Sequence, residues 1–100
     1  MIREQWKLSP QYKENCMEVL EENLAPLRAK AGITQEELAN IIGISRQSYY
    51  SFETKRRSLN WNTYLSLILF FDTNVNTHVM LRSLSAYPIE LMKQIANPNQ

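Results

Sequence analysis

Residues 34–53 read TQEELANIIGISRQSYYSFE, and this segment carries the strongest helix-start and helix-stop signals in the sequence. Its first residues make a capping box, in which the Thr34 hydroxyl covers the backbone N–H of Glu37 while the Glu37 carboxylate reaches back to Thr34. A helix is therefore predicted to begin at Gln35. We expect it to end at Gly43, because glycine readily adopts the left-handed conformation that closes a helix.

A second short helix is predicted directly after a three-residue turn. Ser45 is a good N-cap residue, and the segment Arg46–Glu53 that follows contributes Tyr49 and Phe52 as apolar contacts. Ala39 in the first helix is small, as is needed where two helices cross at a steep angle. The pattern is that of a helix-turn-helix.

Upstream of this motif, the sequence predicts two helices separated by a break. Ser9, followed by proline, is a helix-start signal, and the apolar pattern predicts an amphipathic helix over Pro10–Glu22. Asn23 offers a second N-cap, and Pro26 falls in the first turn of the next segment, where its missing N–H is tolerated. We expect this second helix to end at Gly32.

Downstream, Asn60 offers an N-cap for the segment Trp61–Phe71. This segment is apolar nearly all round, which predicts a helix buried against neighbours on several sides. A buried strand over Leu67–Phe71 is the competing interpretation, because periodicity does not separate the two for a short apolar run.

The last part of the chain predicts a polar turn and two more helices. Residues 72–77 are turn-like, residues 79–84 carry a helical apolar pattern, and Pro88 opens a final short helix through Ile95. Residues 97–100 are expected to fray. The fold class is therefore expected to be all-α.

Composition indicates one compact domain of 100 residues, 44% hydrophobic and 21% charged. Cys16 is the one cysteine and His78 the one histidine, so no disulfide, zinc cluster or nucleophile–base pair is predicted. We expect no metal, no cofactor, no small-molecule ligand and no enzymatic activity. No apolar run is long enough for a bilayer and the N-terminus lacks a signal sequence, so a cytoplasmic protein without a membrane partner is expected.

The formal net charge is only +1, but its distribution is uneven. Residues 27–60 carry a net charge of +3, while residues 1–26 carry −2. The acidic side chains Glu18, Glu21 and Glu22 are interpreted as a solvated helix face turned away from any polyanionic partner.

Residues 27–39 and 42–53 resemble the phage repressor and Cro family, also called the Cro/C1-type or XRE-like regulators. The likeness extends over about residues 23–71. It implies a lambda-repressor-like helix-turn-helix bundle of about five helices, here with an N-terminal helix and a C-terminal extension. We therefore divide the domain into an N-terminal helical extension (1–22), a DNA-binding core (23–72) and a C-terminal helical extension (73–100).

The resemblance implies which side chains meet DNA. In this family the second helix of the motif lies in the major groove. Arginine suits guanine and glutamine suits adenine through paired hydrogen bonds, and tyrosine reaches a phosphate or a thymine methyl group. The implied base-reading residues are Arg46, Gln47, Tyr50 and Ser51. The implied phosphate contacts, which carry no sequence information, are Gln35, Ser45, Ser48, Lys55, Arg56 and Arg57.

Arg28 and Glu53 match a family pair that forms a partly buried salt bridge, which would position the second helix of the motif. Two features depart from the family. Tyr49 stands where the family usually has valine or isoleucine, which predicts looser or differently oriented packing. The basic run 55–57 replaces the more usual Asn/Gly-Lys turn, so the resemblance leaves the path of residues 54–59 open.

The expected function is that of a sequence-specific DNA-binding transcriptional regulator, a repressor of a two-fold symmetric operator. One helix-turn-helix covers only half of such a site, so we expect a homodimer on double-stranded DNA. The candidate dimer element is segment 79–95, followed by the helix 10–22. The alternative is a protein-interaction module with a protein partner, such as the antitoxin of a toxin–antitoxin pair, because a scaffold does not decide function.

Overall fold

The computed structural model describes residues 1–98, and its regular structure is helical. No strand is present in that range, so the strand interpretation of Leu67–Phe71 is wrong and the all-α fold is confirmed. A short 3-10 turn at Glu4–Trp6 precedes six helices, which are α1 (Pro10–Ala31), α2 (Gln35–Ile42), α3 (Arg46–Glu53), α4 (Trp61–Thr73), α5 (His78–Arg82) and α6 (Ile89–Ala96).

Side-chain caps set the starts of the central helices, as predicted. At α2, Thr34 Oγ1 accepts from Glu37 N at 3.1 Å and Glu37 Oε1 accepts from Thr34 N at 2.9 Å, which completes the capping box. At α3, Ser45 Oγ accepts from Ser48 N at 3.0 Å. The side chain of Asn60 caps α4 in the same way. The predicted starts of these three helices are confirmed.

The break predicted near Asn23 is wrong, because α1 is one continuous helix of 22 residues. Asn23 is not an N-cap; its Nδ2 donates to Val19 O at 2.8 Å inside the helix. Pro26 lacks an N–H, so the Glu22 carbonyl has no donor within the helix. Both residues are exposed, so water can bond this carbonyl instead. The buried stripe of α1 continues across this point through Leu20, Leu24 and Leu27.

The continuity of α1 follows from packing, because a long helix is stabilised mainly by burial of its apolar face. The division of the domain at residues 22 and 72 remains a prediction.

The core lies between α1, α2, α3 and α4, with α5 closing one end. Its largest buried side chains are Leu20, Leu24, Leu27, Leu38, Tyr49, Phe52, Tyr64, Leu67, Ile68, Phe71 and Leu81.

The helix α4 is buried against neighbours on several sides, as predicted. It packs against α1, α2 and α5, and these neighbours leave one strip uncovered. Leu69 on this strip is 71% exposed, and Ile41 at the end of α2 is also exposed. Between them lies a surface groove, here called the α2–α4 groove, lined by Ile41, Ile42, Ser66, Leu69, Phe70, Thr73 and Asn74.

The C-terminal extension packs back on the core. Tyr64 Oη donates to Ala86 O at 2.5 Å, and Tyr12 Oη accepts from Glu90 N at 3.2 Å. The first helix predicted here, over residues 79–84, is observed as α5, which ends earlier, at Arg82. The last predicted helix is present as α6, although Pro88 precedes it without a side-chain cap. Residues 99 and 100, which the predicted fraying includes, lie outside the described residues.

Candidate nucleic-acid interface

The turn between α2 and α3 is built on Gly43. Its φ is 83°, in the left-handed region that glycine adopts without steric penalty. The N–H of Ile44 then bonds Ala39 O at 3.0 Å, which closes α2. Ala39 is fully buried where the two helices meet. The predicted helix-turn-helix is therefore present, with its small residue and its glycine in the expected places.

The helix α3 turns one face into the core and one toward solvent. Tyr49 and Phe52 are buried, whereas Arg46, Gln47 and Tyr50 are exposed. Positions 46 and 50 are one turn apart on the same helix face, and position 47 lies beside them. Three of the four side chains predicted to read bases therefore lie together on an open surface.

Ser51, the fourth predicted base-reading residue, is less available. It is half-buried, and its hydroxyl donates to Ser48 O at 2.6 Å. Ser45 Oγ donates to Ser48 Oγ at 3.0 Å at the other end of α3. That end carries the partial positive charge of a helix N-terminus, so Ser45 and Ser48 lie where an anion is favoured.

Arg28 and Glu53 form a two-bond ion pair between α1 and α3. Arg28 Nε donates to Glu53 Oε2 at 2.9 Å and Nη2 donates to Oε1 at 3.0 Å. The third guanidinium nitrogen, Nη1, donates to Ile33 O at 3.1 Å. The pair is largely shielded from water, with the Glu53 side chain 7% exposed. It fixes the C-terminal end of α3 to the end of α1.

Gln35 extends this network to the start of α2. Its Nε2 donates to Glu53 Oε1 at 3.3 Å, so one end of the amide is engaged within the protein. Gln35 and Arg46 line the same surface groove, together with Arg28 and Gly32. A predicted phosphate contact and a predicted base-reading residue therefore border one surface.

The charge of Glu53 is maintained despite burial. Burial by itself raises the pKa of a carboxyl group, but the hydrogen bond from Arg28, the nearby Tyr49 hydroxyl, the Gln35 amide and the Arg28 charge together hold the pKa of Glu53 below its usual value. The same bond from Glu53 raises the pKa of Arg28. The Tyr49 hydroxyl lies beside this pair, and burial, aided by the Glu53 charge, strongly raises its pKa. At neutral pH the pair is ionised and Tyr49 is neutral.

The basic run that follows α3 is exposed. Lys55 has φ of 62°, and Arg56 and Arg57 come directly after it. The Arg57 guanidinium lies 5.3 Å from the centroid of the Phe52 ring, a cation–π distance. With Arg46 at its start and these residues at its end, α3 has a basic group at each end and a neutral exposed surface between.

The path of residues 54–59, which the sequence left open, is fixed by a residue that the sequence reading missed. Leu59 is buried, and its N–H donates to Glu21 Oε1 at 2.8 Å. The interpretation of Glu21 as part of a solvated face is therefore wrong. Glu21 is distant from Leu59 in the sequence, so no local pattern could have predicted this contact.

These features define a helix-turn-helix protein with an exposed, polar second helix. A family model described as helix-turn-helix matches residues 26–74, and this segment, almost half of the chain, belongs to the Cro/C1-type, XRE-like helix-turn-helix family. This match supports a DNA-binding helix-turn-helix regulator in general terms. No curated protein and no solved structure gives a significant match to the chain.

Two further features of residues 1–98 bear on other classes of site. No helix in this range combines the length and the apolar character that a membrane span requires. The same residues contain no cluster of three or more histidine, cysteine or acidic side chains placed to hold a metal ion.

Proposed function

We propose that this protein is a transcriptional repressor that reads a two-fold symmetric operator through α3. The observation that carries the proposal is the exposed surface formed by Arg46, Gln47 and Tyr50 on the second helix of the motif. Proteins of this kind place that helix in the major groove. The basic run after α3 adds sequence-independent attraction to the phosphates.

Each exposed side chain is given a chemical role in the proposal. Arg46 donates two hydrogen bonds to guanine O6 and N7, and Gln47 pairs with adenine N6 and N7. Tyr50 meets a phosphate or a thymine methyl group. Ser51 contributes little to base reading, because its hydroxyl is bonded to Ser48 O. Phosphate positioning falls to the remaining predicted contacts, Gln35, Ser45, Ser48, Lys55, Arg56 and Arg57.

The experiment that tests this proposal is selection of binding sites from a library of random duplex DNA. We expect an enriched site with two inverted half-sites spaced by about one helical turn. On that site, Gln47→Ala should lose about 1–3 kcal/mol of binding free energy and relax preference at one base position. Arg56→Ala, the matched control, should weaken all sequences equally and reduce the salt slope by about one.

Two results would contradict the proposal. The first is a library from which no sequence is enriched. The second is an equal loss on selected and random duplexes for Gln47→Ala, since a base-reading side chain must distinguish the two.

We assign homodimerisation to the C-terminal extension, because a single motif contacts only half of a symmetric site. Val75 and Val79 in this extension are 87% and 76% exposed. Val79→Glu should shift the protein toward monomer in sedimentation at high micromolar concentration, because a charge is costly to bury in an interface. Leu69→Glu in the α2–α4 groove is the control, since Leu69 is similarly exposed. A wild-type protein that is monomeric with and without operator would contradict this assignment.

A protein-interaction module, such as an antitoxin, is the second candidate. The α2–α4 groove favours it, because its lining residues are apolar or uncharged and include the exposed Leu69. A partner protein that binds wild type but not Leu69→Glu, together with no enriched DNA sequence, would support this candidate over the repressor. Both candidates retain the cytoplasmic location expected from the sequence.

A further inference from the structure

The helix α3 ends in a Schellman motif. The N–H of Lys55 donates to Phe52 O at 3.2 Å, and the N–H of Arg56 donates to Ser51 O at 2.9 Å. This pair of bonds satisfies the last carbonyl groups of a helix, and it requires the residue at the Lys55 position to be left-handed. Lys55 has φ of 62° and meets that requirement.

The two preceding helices end in the same motif with different residues. Gly32 closes α1 and Gly43 closes α2, with φ of 72° and 83°. The next residues, Ile33 and Ile44, are half-buried and pack against the core, as is common in this motif. At the end of α3 the corresponding residues are both basic and exposed: Lys55 replaces the glycine and Arg56 replaces the isoleucine.

Space does not explain why glycine is used at the first two positions. A Cβ atom placed on Gly32 or Gly43 would have no atom within 4 Å, so the glycines serve the backbone conformation alone. In the part of the chain that the structure describes, Lys55 is the one non-glycine residue with positive φ. A side chain in this conformation strains the backbone, because its Cβ approaches the following carbonyl oxygen.

The strain at Lys55 coincides with the surface proposed to meet DNA. Lys55 is exposed and lies two residues after Glu53, the last residue of α3. A glycine would relieve the strain but would carry no charge. We propose that the left-handed conformation of Lys55 lowers the stability of the fold, while its charge, which the proposed function already assigns to a DNA phosphate, raises DNA affinity. This inference rests on the proposed function, and it makes stability and DNA affinity oppose each other at one residue.

The test compares wild type, Lys55→Gly and Lys55→Ala in thermal unfolding and in binding to a 20-base-pair random-sequence duplex at 50–200 mM salt. Lys55→Gly should raise Tm by on the order of 4 °C, because it removes the strain. Lys55→Ala keeps a Cβ and should leave Tm nearly unchanged. Both variants should reduce the salt slope by about 0.9. Their loss of DNA affinity relative to wild type should therefore be about three- to fourfold smaller at 200 mM salt than at 50 mM salt.

Two controls isolate strain and charge. Gly32→Lys places a lysine in the same motif at the end of α1 and should lower Tm by a similar amount. Lys93→Ala removes an exposed charge from α6 and should leave Tm and salt slope close to the wild-type values.

Failure of this inference is distinguishable from failure of the proposed function. Wild-type binding to DNA with unchanged salt slopes in both Lys55 variants would overturn the phosphate contact and leave the repressor proposal standing. A Tm for Lys55→Gly at or below the wild-type value would overturn the opposition between stability and affinity. Absence of wild-type binding to any duplex would overturn both proposals.

Discussion

Two arginine–carboxylate pairs in this protein have the same bond pattern and different surroundings. Arg28 and Glu53 join α1 to α3, and Arg82 and Asp72 join α5 to α4, each through Nε and Nη2. The side chains of the first pair are 22% and 7% exposed, and those of the second are 47% and 23% exposed. The exposed pair has the shorter Nε–O distance, 2.7 Å against 2.9 Å.

Distance alone would therefore rank the two pairs the wrong way. An exposed ion pair contributes little to stability, because water solvates both charges almost as well as they solvate each other. A shielded pair matters through the harm done when one partner is lost, since the remaining charge stays buried. The difference between the pairs lies in what surrounds them.

The largest effect is expected from Glu53→Ala. It leaves the Arg28 guanidinium without its carboxylate and should lower the free energy of unfolding by about 3 kcal/mol, measured by urea denaturation. Asp72→Ala is the matched control at the exposed pair, and its loss should be several-fold smaller. Equal losses for the two variants would contradict the role given to burial.

A smaller loss of stability is expected when the pH is lowered and Glu53 becomes protonated. The pKa of Glu53 is held below its ordinary value of 4.5, so the ion pair stabilises the fold fully above that pH and loses this contribution as pH falls through the folded-state pKa. The gap in stability between wild type and Glu53→Gln should therefore be constant from pH 7 to 5 and narrow below about pH 4.5. Urea denaturation at each pH measures it.

For Asp72 the hydrogen bond from Arg82 lowers the pKa from an ordinary value of 3.8. The same loss of stability therefore begins at lower pH for the exposed pair. If the difference in stability between wild type and Glu53→Gln did not change with pH, the charge of the Glu53 carboxylate would add nothing to stability beyond its hydrogen bonds.

The smallest effect is expected from Tyr49→Phe, beside the shielded pair. The Tyr49 hydroxyl is buried and lacks a hydrogen-bond partner, so its removal should change the free energy of unfolding by less than about 1 kcal/mol, in the stabilising direction. Tyr64→Phe is the control, because the Tyr64 hydroxyl bonds Ala86 O, and it should lose about 1 kcal/mol. A loss of about 1 kcal/mol for Tyr49→Phe as well would indicate that the Tyr49 hydroxyl bonds Glu53 in solution.

The sequence predicted the central helices well because their ends depend on neighbouring residues. Thr34, Ser45 and Asn60 each bond a backbone N–H three positions later, and Gly43 supplies its own backbone freedom. The prediction fails at Asn23 because its side chain can bond the backbone inside a helix as well as at a helix start, and only the packing of α1 decides between the two.

Part of the candidate site could also be predicted. The outward positions of α3 follow from helical spacing, which places Arg46, Gln47 and Tyr50 opposite the buried Tyr49 and Phe52. The pair Arg28–Glu53 came from resemblance to a family and not from spacing, since 25 residues separate the two side chains. The Schellman motif at Lys55 had no local signal, because lysine is not a residue expected in a left-handed conformation.

The helix-turn-helix, its caps and the chemical character of its exposed helix follow from the sequence alone, because they depend on contacts between residues close together in the chain. The continuity of α1, the bond between Glu21 and Leu59 and the exposure of Leu69 all depend on tertiary packing. Such contacts join residues far apart in the chain, and their formation depends on how the helices pack. Packing also decided which of two similar ion pairs is shielded from water.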